Sequence, residues 1–187
     1  MRWLVLYLRS RQVAAGAGVA LACVAGLRLL AGDSPIFQEM LAVLGIALVT
    51  AVAAAGLAGV DPALERTAAL DWRVRRAAHV VAVGGLTTVL GVVVGPPMPA
   101  EVVLRAAVGL TGLAALGVTL LGGGLAWWVP VTWTVGAVSA WLASQPPVAP
   151  LLTWPLQPPD TTAATVAAWT LGLGGMLVYA VRGPRAQ

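Results

Sequence analysis

The chain has 187 residues, 59% of them hydrophobic and only 10% charged, and its mean hydropathy is +0.90. A soluble domain carries roughly 25% charged residues, so this chain cannot cover a water-facing surface, and a bilayer is its natural solvent. Its net charge of +4 rests on arginine alone, with no lysine. Cys23 is the only cysteine, which excludes a disulfide within the chain or a cysteine-based zinc site.

Residues 2–12 mix Trp3 and Tyr7 with Arg2, Arg9 and Arg11 and are too short to span. They suit either a short N-terminal interfacial helix or an extension of the first span. A signal peptide fits less well, because arginines interrupt the first apolar stretch and the next run is longer than such a segment needs; the segment is read as retained. Spans are expected at about 13–31, 38–59, 79–94, 101–121, 125–143 and 161–181. Gly32 to Pro35 turn the chain between the first two, and Gly95, Pro96, Pro97 and Pro99 end the third. Gly122 to Gly124 give a tight link between the fourth and fifth, and a proline-rich loop over 144–159 precedes the sixth. The third run is short against the roughly 20 apolar residues a span needs, and counting from Arg76 repairs it. The fold class is therefore all-α: a single polytopic membrane domain over 1–187, with six transmembrane helices.

Arginine placement sets orientation. With six spans, Arg2, Arg9, Arg11, Arg66, Arg73, Arg75, Arg76, Arg182 and Arg185 fall on one side, while the opposite loops carry Asp33 and Asp160. Both termini are expected to be cytoplasmic in a multi-pass protein of the cell membrane. Arginines in short loops between apolar runs read as topology signals, not as a nucleic-acid surface.

Catalytic constellations are missing from the sequence. His79 is the only histidine and sits where a loop enters the third span, and a Walker-type phosphate loop needs a lysine the chain lacks. No carboxylate lies at a span centre, where a proton or cation relay would need one. The chain is not expected to be an enzyme by itself, nor to bind a metal or cofactor.

Residues 61–78 are more informative. Asp61 and Pro62 make a good helix start, as N-cap and first helical residue, and Leu64, Glu65 and Arg66 continue a short cytoplasmic helix between spans two and three. Asp71 can cap the next helix, which runs through Trp72, Arg73, Arg75 and Arg76 into the third span. Two readings are open: a solvated loop whose arginines meet anionic headgroups, or a docking surface for a cytoplasmic partner.

This layout resembles the type 2 ABC transporter permeases, the exporter class with separate ATPase subunits. More narrowly, Asp61 to Ala68, Trp154 to Asp160, and Arg182 to Arg185 look like small actinobacterial members of that class. The resemblance implies that an ABC ATPase subunit docks on Asp61, Leu64, Glu65, Arg66 and Arg73 and hydrolyses ATP there. It also implies a homodimer or a second membrane subunit, and a hydrophobic or amphipathic cargo. The chain departs from the pattern by its shortness and by the near absence of a second cytoplasmic loop. A non-transporting scaffold or accessory subunit is the alternative.

Arg28, Glu39, Glu101 and Arg105 lie near the outer ends of spans. Glu101 and Arg105 are four apart in the favourable helical order, and Arg28 and Glu39 can meet across the first hairpin. Snorkelling or pairing is one reading; an outer vestibule for a polar or anionic group is the other. Small residues recur at Ala14, Gly18, Ala22 and Gly26, at Ala47, Ala51, Ala55 and Gly59, and at Gly91 and Gly95. Such faces let helices approach closely, although an Ala/Gly-rich chain also produces them by chance. Trp3, Trp72, Trp127, Trp128 and Trp154 fall at expected headgroup levels. Pro130 is expected to bend the fifth span, and the proline-rich loop either dips back as a lid or is a plain stiff loop.

Overall fold

The computed structural model describes residues 13–30, 32–57, 72–95, 98–143 and 151–185, and they are all-helical. Six α-helices follow one another: α1 (Val13–Leu30), α2 (Pro35–Leu57), α3 (Trp72–Val94), α4 (Ala100–Leu121), α5 (Trp128–Ala143) and α6 (Thr162–Arg182). A single 3-10 turn, Trp154–Leu156, lies between α5 and α6. Four of the helices, α2, α3, α4 and α6, are long and apolar enough to cross a membrane. α5 has 16 residues, which at 1.5 Å per residue is about 24 Å. The expected interfacial helix over 2–12 and the expected cytoplasmic helix after Asp61 lie outside the described residues.

α3 begins at Trp72, where the sequence placed the start of a helix running through the arginines into the third span, so Arg73, Arg75, Arg76 and His79 belong to its first two turns. Charged residues inside a helical repeat do not stop a helix; they only mark where it leaves the apolar layer. One boundary differs from the sequence reading, for a local reason. α5 begins at Trp128, after Gly122 ends α4 with a φ of 81° and residues 123–127 turn. Pro130 therefore stands in the first turn of α5. There its missing N–H has no partner to lose, and the expected bend has no cause.

α4 is the hub. It packs against α2, α3, α5, α6 and the 3-10 turn, while α1 lies along α2. The central core joins Ile46 and Ala47 of α2, Val103, Ala106, Ala107, Leu110 and Leu113 of α4, and Ala164 and Ala168 of α6 around Trp154. Large apolar side chains point outward from the bundle, among them Val81, Leu86, Val89 and Val93 of α3 and Val166, Leu173 and Leu177 of α6. Water would penalise such a surface, whereas lipid tails match it. Four threonine hydroxyls inside the apolar helices, those of Thr50, Thr87, Thr119 and Thr134, donate to the carbonyl four residues back, whereas Thr111 Oγ1 is buried without a partner among the described residues.

Small residues bring α4 and α6 together. A Cβ at Gly112 would run into the Leu171 carbonyl and the Gly172 Cα, and one at Gly175 into the backbone of Gly112. The faces expected from spacing fare unevenly. Gly91 does pack closely, its hypothetical Cβ 2.6 Å from Val103 Cγ1. Ala47 and Ala51 are buried but Ala55 is exposed, and Ala54 takes the buried place instead. Gly18 and Gly26 meet nothing within 4 Å.

The two ends of the bundle have opposite chemistry. At one end α2, α4 and α6 all terminate, and the free carbonyls of a helix end need donors. Tyr179 Oη donates to the Leu57 carbonyl at 2.5 Å, and Arg185 donates from Nη1 to the Leu120 carbonyl at 2.7 Å. The Arg76 guanidinium lies against Gly183, which ends α6 with a φ of 74°. At the other end the same three helices begin, and Asp33, Glu39, Glu101 and Asp160 sit there. Cations at helix C-termini and carboxylates at N-termini both complement the helix dipole. Tyr179→Phe should leave the Leu57 carbonyl buried without that donor, at a cost of about 1 to 2 kcal/mol. A lowered thermal midpoint in detergent would register it.

Candidate functional site

The end of the bundle where α2, α4 and α6 begin holds its only buried arginine among the described residues. Arg105 lies one turn into α4 and is 3% exposed. A guanidinium at the centre of a span costs about 2.5 to 3.5 kcal/mol on insertion scales, and one buried nearer a helix end still needs its donors used. Two of them are: Nη1 donates to the Pro158 carbonyl at 3.0 Å and Nη2 to the Gln157 carbonyl. Nε is buried without an acceptor among the described residues.

Those carbonyls belong to a loop that turns inward. Thr153, Trp154, Pro155, Leu156 and Gln157 are all buried, while Pro158, Pro159 and Asp160 return to the surface. Packing against α2 and α4 holds the loop there, and two bonds within the loop shape it. The Trp154 ring, 0% exposed, sits over Gly109 of α4, where any larger residue would meet the ring. Gln157 Nε2 donates to Thr153 Oγ1 at 2.7 Å, and the Leu156 amide donates to the Thr153 carbonyl at 2.9 Å. Leu156 packs with Met40 and Val43 of α2. Prolines suit such a segment, because they remove amides that would otherwise need partners away from water. The loop thus dips back into the bundle, and Trp154 is a core residue instead of a headgroup anchor. Trp154 Nε1 and Trp133 Nε1, both against this core, are buried without acceptors among the described residues.

The four residues expected at the outer end separate in the structure. Arg105 is buried on the loop carbonyls. Glu39 is half-buried near the same end. Glu101, the residue expected to pair with Arg105, is exposed. Arg28 stands near the end of α1, and its side chain lies outside the described residues. Sequence spacing paired Glu101 with Arg105; in the fold Arg105 donates to backbone oxygens of the loop. Thr153, Gln157 and Gly109 were not singled out. The only signal for them was the proline-rich stretch itself, since backbone acceptors leave no mark on side-chain identity.

At the opposite end, Asp61, Leu64, Glu65 and Arg66 of the expected docking segment lie outside the described residues. Arg73 is in the first turn of α3 and exposed. Arg75 stands 5.5 Å from the Trp72 ring centroid, within cation–π range. Arg185 donates to the Leu120 carbonyl at the end of α4, and the Arg76 guanidinium lies against Gly183 at the end of α6. Trp127 and Trp128 stack with centroids 4.7 Å apart and are exposed, as residues at a membrane surface can be. Among the described residues no group of histidine, cysteine, aspartate and glutamate could hold a metal ion.

Comparison with protein-family models, with curated proteins and with solved structures gives no match for this chain.

Proposed function

We propose that this chain is the membrane-spanning subunit of an ABC-type exporter, with a separate ATPase docked on its arginine-rich end and supplying ATP hydrolysis. In this reading all six helices cross the cell membrane and both termini face the cytoplasm. The observation that supports it best is the contrast between the two ends. At the arginine-rich end, α2, α4 and α6 terminate together and are tied by Tyr179 and Arg185, with the Arg76 guanidinium against Gly183. The segment from Asp61 to Asp71 joins α2 to α3 at that tied end. A push on it from a docked partner would reach several helices at once, which is what coupling ATP hydrolysis to a membrane subunit requires. At the opposite end a buried loop closes the bundle, as an exporter at rest must be closed to the outside. The core around α4 is apolar, which suits a hydrophobic or amphipathic cargo. The chain works as a homodimer or beside a second membrane subunit, and the small-residue face of α1, with Gly18 and Gly26 open, offers room for a close helix neighbour.

A second reading has an observation of its own. The middle of the bundle is filled by Trp154, and α4 touches α6 backbone to backbone, which fits a non-transporting scaffold or accessory subunit. Affinity purification from native membranes in mild detergent separates the two. Co-purification of an ATPase, lost when Glu65→Arg and Arg66→Glu are combined, supports the exporter. Recovery of membrane partners without an ATPase supports the accessory subunit and overturns the first reading.

A further inference from the structure

We infer that the corner where α3 starts and α6 ends binds the headgroup of an anionic phospholipid. Arg75 and Arg182 hold its phosphate, and its tails run along the outward faces of the two helices. The site needs no ATPase, and it leaves the segment from Asp61 to Asp71 to the partner of the exporter reading.

Three observations carry it. First, arginines gather at this corner without carboxylates. α3 packs against α6, and the Arg76 guanidinium lies against Gly183 at the α6 end. Arg75 and Arg182 are the chain neighbours of those two residues, and both are exposed. With Arg73 and Arg185, also exposed, five arginines stand at this end and no aspartate or glutamate does, among the described residues. The segment 58–71 adds Asp61, Glu65 and Asp71 against Arg66, which leaves the end positive. Neither Arg75 nor Arg182 makes a side-chain hydrogen bond among the described residues; Arg75 instead stands over the Trp72 ring. Second, the arginines of α3 oppose their own helix dipole. The first turn holds Arg73 and Arg75 and no acidic residue, and a helix start already carries partial positive charge. An anion from outside relieves both. Third, exposed apolar surface continues from each arginine toward the middle of its helix. On α3 it includes Val81 and Val89, and on α6 Val181, Leu177 and Leu173. The exposed, stacked Trp127 and Trp128 lie at the same end, and interfacial tryptophans mark the headgroup level. A guanidinium pairs with two phosphate oxygens at once, and the apolar faces below match lipid tails. Free phosphate would use only the first of these features. The opposite end carries Asp33, Glu39, Glu101 and Asp160 and repels the same headgroup.

Native mass spectrometry of the purified full chain tests this. The chain is incubated in neutral detergent with equal amounts of phosphatidylglycerol and phosphatidylcholine, matched in their tails and different in headgroup charge. An arginine beside an anionic headgroup is worth about fivefold in binding. The parent should therefore retain phosphatidylglycerol over phosphatidylcholine by roughly twentyfold. Arg75→Gln combined with Arg182→Gln should bring the ratio close to one. Arg2→Gln combined with Arg9→Gln removes the same charge elsewhere and should keep the parent ratio. Arg75→Lys combined with Arg182→Lys keeps the charge but loses the planar fork, and should fall between. Inorganic phosphate in excess should not displace the lipid, because it has no tails. Thermal midpoints without added lipid should agree between the parent and the Gln double variant. If that variant does not fold, each single Gln variant should lower the ratio about fivefold. A parent ratio near one would overturn the lipid site. An equal fall in the Arg75/Arg182 and Arg2/Arg9 variants would mean attraction by net charge alone and would overturn the corner as its place. Displacement by inorganic phosphate would overturn the lipid as occupant. The purified chain is measured without an ATPase, so failure here and failure of the exporter reading are separate results.

Discussion

Gly112→Ala should cost about 3 kcal/mol or more, the upper end of what overpacking a core does. The added methyl would meet the Leu171 carbonyl and the Gly172 Cα, and backbone cannot rotate away as a side-chain tip can. α4 and α6 would have to part, and they form the most extensive helix pair in the bundle. Gly175→Ala should behave alike, because its methyl would meet the backbone of Gly112 from the other side. Gly174→Ala is the control. Nothing lies within 4 Å of its Cβ position, and alanine favours a helix over glycine by about 1 kcal/mol, so this variant should match or exceed the parent. Thermal unfolding in detergent, followed by circular dichroism, reads all three. A Gly112→Ala midpoint equal to that of Gly174→Ala would mean that α4 and α6 do not touch.

The second large effect falls on Trp154. Trp154→Ala empties the centre of the main core, and truncating a buried aromatic costs about 3 to 5 kcal/mol. Most of that loss is packing, since lipid tails supply little of the water-driven term that a soluble core enjoys. The loss should appear in two places at once: a lower thermal midpoint, and faster hydrogen exchange across 151–160. Trp154→Phe keeps a ring over Gly109 and should recover part of both. Trp128→Ala, at an exposed position, should move neither. If Trp154→Ala and Trp128→Ala had the same midpoint, the loop would not be part of the core.

Some features of the fold are written locally in the chain and others are not. Helices form at all six expected places, because long apolar runs broken by Gly32, the Gly95–Pro99 segment and Gly122 are strong local signals. Apolarity alone starts the third span near His79, but the helix signals around Asp71 carry it back through Arg76, Arg75 and Arg73 to Trp72, where α3 begins. The start of α5 was less legible, because only glycines mark the link before it. Tight packing was legible in kind but not in place. Small residues occur on nearly every helix of this chain, so spacing alone could not choose Gly112, Gly172 and Gly175 over Gly18 and Gly26. Partner choice depends on tertiary fit. Arg105 bonds to carbonyls 52 and 53 residues further along the chain, where no local spacing rule reaches. The inward turn of the 153–157 loop was one of two open readings. It was decided by the void above Gly109, which only the folded helices create.

Everything proposed for function depends on a membrane-crossing bundle whose arginine-rich end faces the cytoplasm. Paired reporter fusions test this most directly, one reporter active only in the cytoplasm and one only outside. They are inserted after Arg66, between α2 and α3, and after Pro159, between the loop and α6. The account predicts cytoplasmic activity at Arg66 and external activity at Pro159. External activity at Arg66, or the same side for both positions, would contradict it.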